Sequence, residues 1–302
     1  MFVTIIKKCK KSVTEFTERG ESMGTVIITD STCDLTAEAQ QQLGVVVVPL
    51  TVSYNDVNYN DGFNEADRKH FFDGLRNGKI VPVTRQPSPD EFLSVFNRNK
   101  ESGNEVVYIG ISSNSSGTVQ AAKVAKNLCG YDKIHIIDSM QLSHGLEVLI
   151  RFACSLRDKG KGASEIVREI SETIPKVRFI SYVDSLKFLK KGGRVERYSA
   201  FDDGRLNMKT LVSMINGRFT PVGVCRGSQI AFEKFYEYIG KHQPDENMPM
   251  VLTNADNKEN MMKFKDFLSE KGMNFNYSFS EIGQVIGTHM GPGTVGFAYI
   301  EK

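Results

Sequence analysis

Short continuous runs of apolar residues alternate along the first half of the chain with stretches whose apolar positions recur every three or four residues. "TVIITDST" (25–32), "VVVVPLTVSY" (45–54), "EVVYIGIS" (105–112) and "KIHIIDS" (133–139) are rich in Val, Ile and Tyr and predict strands. The second of these reads as one strand buried on both faces. "CDLTAEAQQQLG" (33–44) predicts a capped helix closing at Gly44, and "NEADRKHFFDGLRNG" (64–78) a helix stopped by glycine. "SPDEFLSVFNRNK" (88–100) opens with Ser88 at N-cap, Pro89 at N1 and Glu91 at N3, which is a capping box. Another helix begins at Gly117, and a long one covers roughly Gln141 to Lys159. Strand–helix alternation of this kind predicts βαβ units and a mostly parallel sheet.

The glycine-rich "GKGAS" (160–164) is the best boundary, giving an α/β domain over 23–162 and a second domain over 163–302. Beyond it come the helix "ASEIVREISETIP" (163–175), the strand "VRFISYV" (177–183) and the short helix "DSLKFLKKGG" (184–193), with Asp184 as its cap and Gly192 as its end. The alternation is looser here and predicts a smaller α+β domain. Residues 1–22 are polar and weakly periodic, and a clean strand starts just after them. Glu-Arg-Gly-Glu before Met23 is what a purine-rich ribosome-binding sequence would encode. Residues 1–22 are therefore expected to be either an extension outside the fold, with Met23 as the natural start, or an ordinary N-terminal helix.

Composition narrows the function classes. The 302 residues are 40% hydrophobic and 25% charged, as in an ordinary globular protein. A net charge of +2 is too small to argue for nucleic acid or an anionic membrane. The cysteines at 9, 33, 129, 154 and 225 are scattered and form no C-x-x-C pair, so neither a disulfide framework nor a zinc site is expected. A reducing cytoplasm fits them best. No apolar run approaches the ~18 residues of a membrane span.

Three polar loops follow strands: Asp30-Ser31-Thr32, Ser112 to Thr118, and Asp138-Ser139. In parallel sheets, ligands bind beyond such strand ends. "SSNSSGT" places Ser115, Ser116, Gly117 and Thr118 where backbone N–H groups at a helix start are free to meet an anion. Plain N-capping by Ser116 explains the same residues equally well. "VPVTRQPSP" holds Thr84 in a proline-stiffened loop, although an ordinary turn would also use these residues. "GTHMGPG" places His289 on a glycine-rich loop where backbone can approach a ligand. "GPGTVG" matches G-x-G-x-x-G in form only, because a strand follows and the chain ends before a βαβ unit. Lys187, Lys190, Lys191 and Arg194 recur at helical spacing, as a solvated basic face or a docking face for an acidic or phosphorylated partner. There is no Walker A, H-E-x-x-H or G-x-S-x-G motif, and no metal or cofactor is expected.

In their order, "DSTCDL", "VVPLTVSYNDVNYNDG", "TRQPSPDEF", "ISSNSSGTVQAA", "IDS", "YVDSLKFLKKGGRV" and "GTHMGPG" resemble the motifs of the DegV family over nearly everything after Met23. The resemblance implies a lipid pocket between the two domains and a bound long-chain fatty acid. It implies that Thr84, Ser116 and His289 hold the carboxylate, supported by Ser115, Gly117 and Thr118. It further implies a role as the fatty-acid-binding subunit of a bacterial fatty acid kinase, with Arg194 facing the kinase protein or the phosphate. Nucleic acid is not an expected partner, and membrane contact is expected only in passing. Arg85 stands where the family commonly has Ser, and Lys209-Thr210 where it commonly has Lys-Pro. Two rivals follow from the same residues: a lipid carrier with no kinase partner, and a hydrolase with Ser116 as nucleophile and His289 as base.

Overall fold

The computed structural model describes residues 24–62, 65–195 and 207–302, so the expectation for residues 1–22 lies outside the described residues. Four parallel strands form the first sheet: β1 (Thr25–Asp30), β2 (Val46–Val48), β6 (Glu105–Gly110) and β7 (Ile134–Asp138), in the order β2-β1-β6-β7. Helix α1 (Ala37–Leu43) connects the first two, capped by Thr36 and closed by Gly44 in the left-handed conformation. Val45 to Tyr54 is not the single buried strand its composition suggests. Pro49 has no N–H for a ladder, and Leu50 turns its own N–H to Ser31 Oγ. The chain leaves the sheet there, with β2 as an edge strand and Val46 exposed. It enters a second, antiparallel sheet of β3 (Thr51–Tyr54), β4 (Val57–Asn60) and β5 (Val83–Arg85), ordered β4-β3-β5. Helix α2 (Glu65–Arg76) joins β4 to β5.

Helices α3 (Pro89–Glu101) and α4 (Thr118–Cys129) cover one face of the first sheet. The capping box at Ser88 and Glu91 is formed as expected. The other face meets α5 (Ser143–Asp158) and α6 (Ala163–Thr173), which begins one residue after Gly162. In α5, Leu146, Val148, Leu149, Ile150 and Ala153 are buried, and the polar pair in the same two turns, Glu147 and Arg151, is joined by an ion pair. The helix lies between two sheets, touching β1 and β6 on one side. On the other side it touches β8 (Val177–Val183), β11 (Met250–Asn254) and β13 (Val295–Ile300).

Those three strands belong to the largest sheet, which also contains β9 (Met208–Ile215), β10 (Arg218–Arg226) and β12 (Tyr277–Glu281). The order is β10-β9-β8-β13-β11-β12, antiparallel except for β11 with β12. The second half thus carries more sheet than the first. Helices α8 (Ser228–Lys241) and α9 (Lys258–Glu270) close its outer face through Phe232, Phe235 and Phe264. Among the described residues no helix is long and apolar enough to cross a membrane.

Two short helices complete the chain, α7 (Lys187–Lys191) and α10 (Gln284–Met290). Asp184 does not cap α7. It pairs with Lys209, and Ser185 Oγ accepts from Lys187 N instead. His289 lies in the last turn of α10 rather than on the glycine loop, which starts at Gly291. Two buried carboxylates hold the start of α10. Asp34 Oδ1 accepts from Gly283 N at 2.8 Å, and Asp61 Oδ1 accepts from Gln284 N and Val285 N at 3.0 and 3.2 Å. Burial, the largest effect, raises the Asp61 carboxyl from 3.8 to about 6.

The folded protein therefore binds a proton at Asp61 between roughly pH 4 and pH 6 that the unfolded chain has released, so this group's stabilising contribution falls as pH rises through that window. Asp61→Asn keeps an acceptor for α10 and removes the buried charge. In urea unfolding, its stability relative to the parent is expected to improve from about pH 4 to about pH 7, on the order of 3 kcal/mol. A difference that stays constant with pH would show that Asp61 keeps its ordinary acidity.

Candidate functional site

The three polar loops at the carboxyl ends of the parallel strands divide by task. Asp30, at the end of β1, is fully buried and accepts from Tyr108 Oη at 2.8 Å, Ile111 N at 2.9 Å and Thr32 N at 3.2 Å. Burial raises its carboxyl, and these donors oppose the rise. Asp138 Oδ1 accepts from Ser113 N and Met140 N, both at 3.1 Å. These carboxylates are spent on backbone N–H groups, so they brace the strand ends and leave the serine-rich loop to face outward.

Part of that loop is also committed. Ser112 Oγ and Ser115 Oγ donate to Gly217 O at 2.8 and 3.1 Å, and Asn114 Nδ2 donates to Asn216 O at 2.8 Å. Asn216-Gly217 is the turn between β9 and β10, with both residues at positive φ. Asn-Gly between two apolar stretches is a strong hairpin signal, so the turn is legible in the sequence although its tie to the serine loop is not. Ser116 Oγ lies 2.8 Å from Thr118 Oγ1 and accepts from Thr118 N at 3.3 Å. Its capping reading is therefore correct in part, while Gly117 holds the N-cap position of α4. A Cβ on Gly117 would collide with the Gln86 side chain, so that glycine lets the Thr84 segment lie against the serine loop.

Thr84 is set by strand pairing rather than by a proline loop: it stands opposite Val52 in β5. Its Oγ1 is 3.2 Å from His289 Nε2. His289 is buried, and among the described residues its Nδ1 has no hydrogen-bond partner. Gly192 packs against that side of the ring, where any Cβ would collide. Burial first, and the Arg194 charge second, lower His289 to about 4. It is thus neutral at neutral pH, with an N–H available for a hydrogen bond. Arg194 lies past the end of α7, after Gly193 at positive φ, and is not part of a helical stripe with Lys187 and Lys191. Its guanidinium donates to Gly192 O and is exposed to solvent.

Thr84, Ser115, Ser116, Arg194 and His289 border one cavity of about 30 Å³, whose other walls include Ile111, Leu142, Phe219 and Ile286. Thr118 is buried behind Ser116. An open groove of about 670 Å³ runs outside, past Ser113, Ser116, Arg194 and Arg218. An apolar recess of about 230 Å³ lies between β5 and α7, with Val83 and Phe188 on its sides. Arg194 borders all three spaces. Hydroxyls, a neutral imidazole and one cation at an apolar opening suit an anionic head group joined to an apolar body. Among the described residues there is no cluster of metal ligands. Asp34 and Asp61, which anchor the helix under His289, are not singled out by the sequence, because the α10 N–H groups they meet are 223 or more residues away.

The chain is 33% identical over 278 residues to a DegV domain-containing protein of Deinococcus radiodurans, covering 91% of this chain and 98% of that one. A solved structure described as fatty acid binding of a DegV family protein from Thermus thermophilus matches with a TM-score of 0.83 at 27% identity, over 93% of this chain and 100% of that one. DegV of Bacillus subtilis, described as a fatty acid binding protein, matches with a TM-score of 0.79 at 27% identity and the same coverage. The model of the DegV family, described as an uncharacterised protein family, matches residues 25–302. The chain belongs to the DegV family.

Proposed function

We propose that this protein binds a long-chain fatty acid, holds its carboxylate with Thr84, Ser116 and His289, and presents it to a separate fatty acid kinase that forms the acyl phosphate. The observation that carries this reading is the meeting of those three residues around one apolar-walled cavity, from segments up to 205 residues apart. The matched proteins of Thermus thermophilus and Bacillus subtilis, both described as binding fatty acids, support it. Each buried methylene is worth ~0.8 kcal/mol, so the tail drives binding. The carboxylate must then be met by donors, since an unpaired buried ion costs several kcal/mol. A neutral His289 N–H and two hydroxyls are such donors.

The same geometry speaks against the hydrolase reading. Ser116 Oγ is engaged with Thr118, His289 Nε2 faces Thr84 rather than Ser116, and no carboxylate meets His289 Nδ1 to orient it as a base.

Thr84→Ala and Ser116→Ala should each weaken fatty acid binding by about 1–3 kcal/mol, the cost of removing one donor from a charged acceptor. Isothermal titration with palmitate reads this directly, and unchanged affinity in both variants removes the head-group assignment.

Arg194 belongs to the kinase part of the proposal. An acyl phosphate is a mixed anhydride, so the carboxylate must be reachable by a partner while the tail stays enclosed. An exposed guanidinium at the rim can meet a phosphate bidentately. Arg194→Ala is expected to slow acyl phosphate formation with the cognate kinase about tenfold or more, while palmitate affinity changes less than about threefold. Equal losses in both assays would place Arg194 in the pocket alone, and no loss in either would leave it a solvated residue.

A further inference from the structure

The apolar recess between β5 and α7 has no part in holding the carboxylate. Its volume is about 230 Å³, and its walls include Leu75, Ile80, Val81, Val83 and Phe188. Pockets for small molecules usually run about 300–1,000 Å³, so this space suits one or two side chains. Val83 is the most exposed large apolar side chain among the described residues, at 66%, and Val81 follows at 57%. A single exposed valine is ordinary, but two at the mouth of one apolar recess form a patch. Pro82 between them fixes its own φ, so the patch has little freedom to lose on contact. Side chains alternate along β5, an edge strand of its sheet. Thr84 turns inward to His289, and Val83 and Arg85 turn outward.

The charge around the recess has one sign. Lys191 and Arg194 line it, and Lys187 Nζ lies 4.7 Å from the centroid of the Phe188 ring. No Asp or Glu is among the described residues that line it. An occupant with carboxylates beside an apolar side chain is complementary to both features. The concave shape suits a protruding side chain better than a bilayer surface. The recess also shares Thr84, Arg194 and His289 with the smaller cavity that Ser116 borders.

We propose that the recess is where the fatty acid kinase docks: an apolar side chain of the kinase enters between Val83 and Phe188, and acidic residues beside it meet Lys187, Lys191 and Arg194. This rests on the kinase reading above and assigns the patch to recognition rather than to lipid binding. A kinase seated there holds its phosphoryl donor beside the fatty acid carboxylate, which is the proximity the transfer needs.

Steady-state kinetics of acyl phosphate formation test this, with the palmitate-loaded protein as the varied substrate of the fatty acid kinase from the same organism. Val83→Asp is expected to raise the KM for the loaded protein about tenfold or more, with kcat changed less than about twofold. Its palmitate affinity and melting temperature are expected to stay parental, because Val83 is exposed. Val83→Ile, which keeps the apolar contact, is expected to keep the parental KM. Lys191→Glu is expected to raise KM about fivefold or more at low salt and less at high salt. A parental KM in Val83→Asp overturns the docking site. Lost palmitate affinity in that variant places the recess in the lipid site and overturns it too. A parental KM with weakened binding to phosphatidylglycerol vesicles makes the patch a membrane contact and overturns it as well. Should Val83→Asp not fold, a parental KM in Lys191→Glu overturns the proposal. A wild-type loaded protein that yields no acyl phosphate overturns the kinase reading itself, and the docking site with it.

Discussion

A carboxylate shut away from water must be met by donors, and much of this molecule is arranged around one that is. Asp34 is fully buried at the end of the turn after β1. One oxygen accepts from Gly283 N at the start of α10, and the other from Ser143 Oγ at the start of α5. Burial raises this carboxyl well above its ordinary range, Asp61 and Glu147 add to the rise, and the two donors oppose it. With this single group the first sheet fixes both the buried central helix and the helix carrying His289. Leaving Gly283 N and Ser143 Oγ without their acceptor would cost more than the two bonds contribute, because both sit where water does not reach.

The electrostatics of the site follow from how much charge such an interior tolerates. Neutral groups fill the depth: Thr84, Ser116 and an imidazole that burial keeps unprotonated. Among the described residues the one cation bordering that cavity, Arg194, stays at the solvent edge, where a guanidinium keeps its hydration. A bound anion would therefore find hydrogen-bond donors inside and compensating charge outside, without a buried cation waiting unpaired in the empty protein. The depressed His289 follows from this division: burial first and the Arg194 charge second disfavour its protonated form.

What the sequence made legible was local. The Ser88–Glu91 box, the Gly44 stop and the helix after Gly117 rest on contacts within a few residues, and each formed where it was expected. The errors arose where a distant partner decided. The Val45–Tyr54 run reads as one strand until Pro49 N and Leu50 N are followed to the ladder and to Ser31. Asp184 has the chemistry of a cap, but Lys209 claims it. His289 sits in a glycine-rich stretch that would suit a loop, yet two carboxylates from the other end of the chain begin a helix just before it. The hairpin turn at Asn216-Gly217 was readable from its dipeptide, but its attachment to the serine loop was not.

That attachment explains why so many hydroxyls are gathered after β6. A serine loop built on one sheet and an apolar wall built on another can border one cavity only if something fixes their separation. Ser112 and Ser115 do so by donating to Gly217 O, and Gly217 has no Cβ because one would occupy the place of Ser112 Oγ. Two residues past Gly217 is Phe219, in the wall of the same cavity that Ser116 borders. Ser112 and Ser115 therefore set the distance between Ser116 and the apolar surface beyond it. Hydroxyls suit this task, since each can satisfy a buried carbonyl while costing no charge desolvation. The cluster reads in sequence as a single anion cradle because both tasks call for the same side chain.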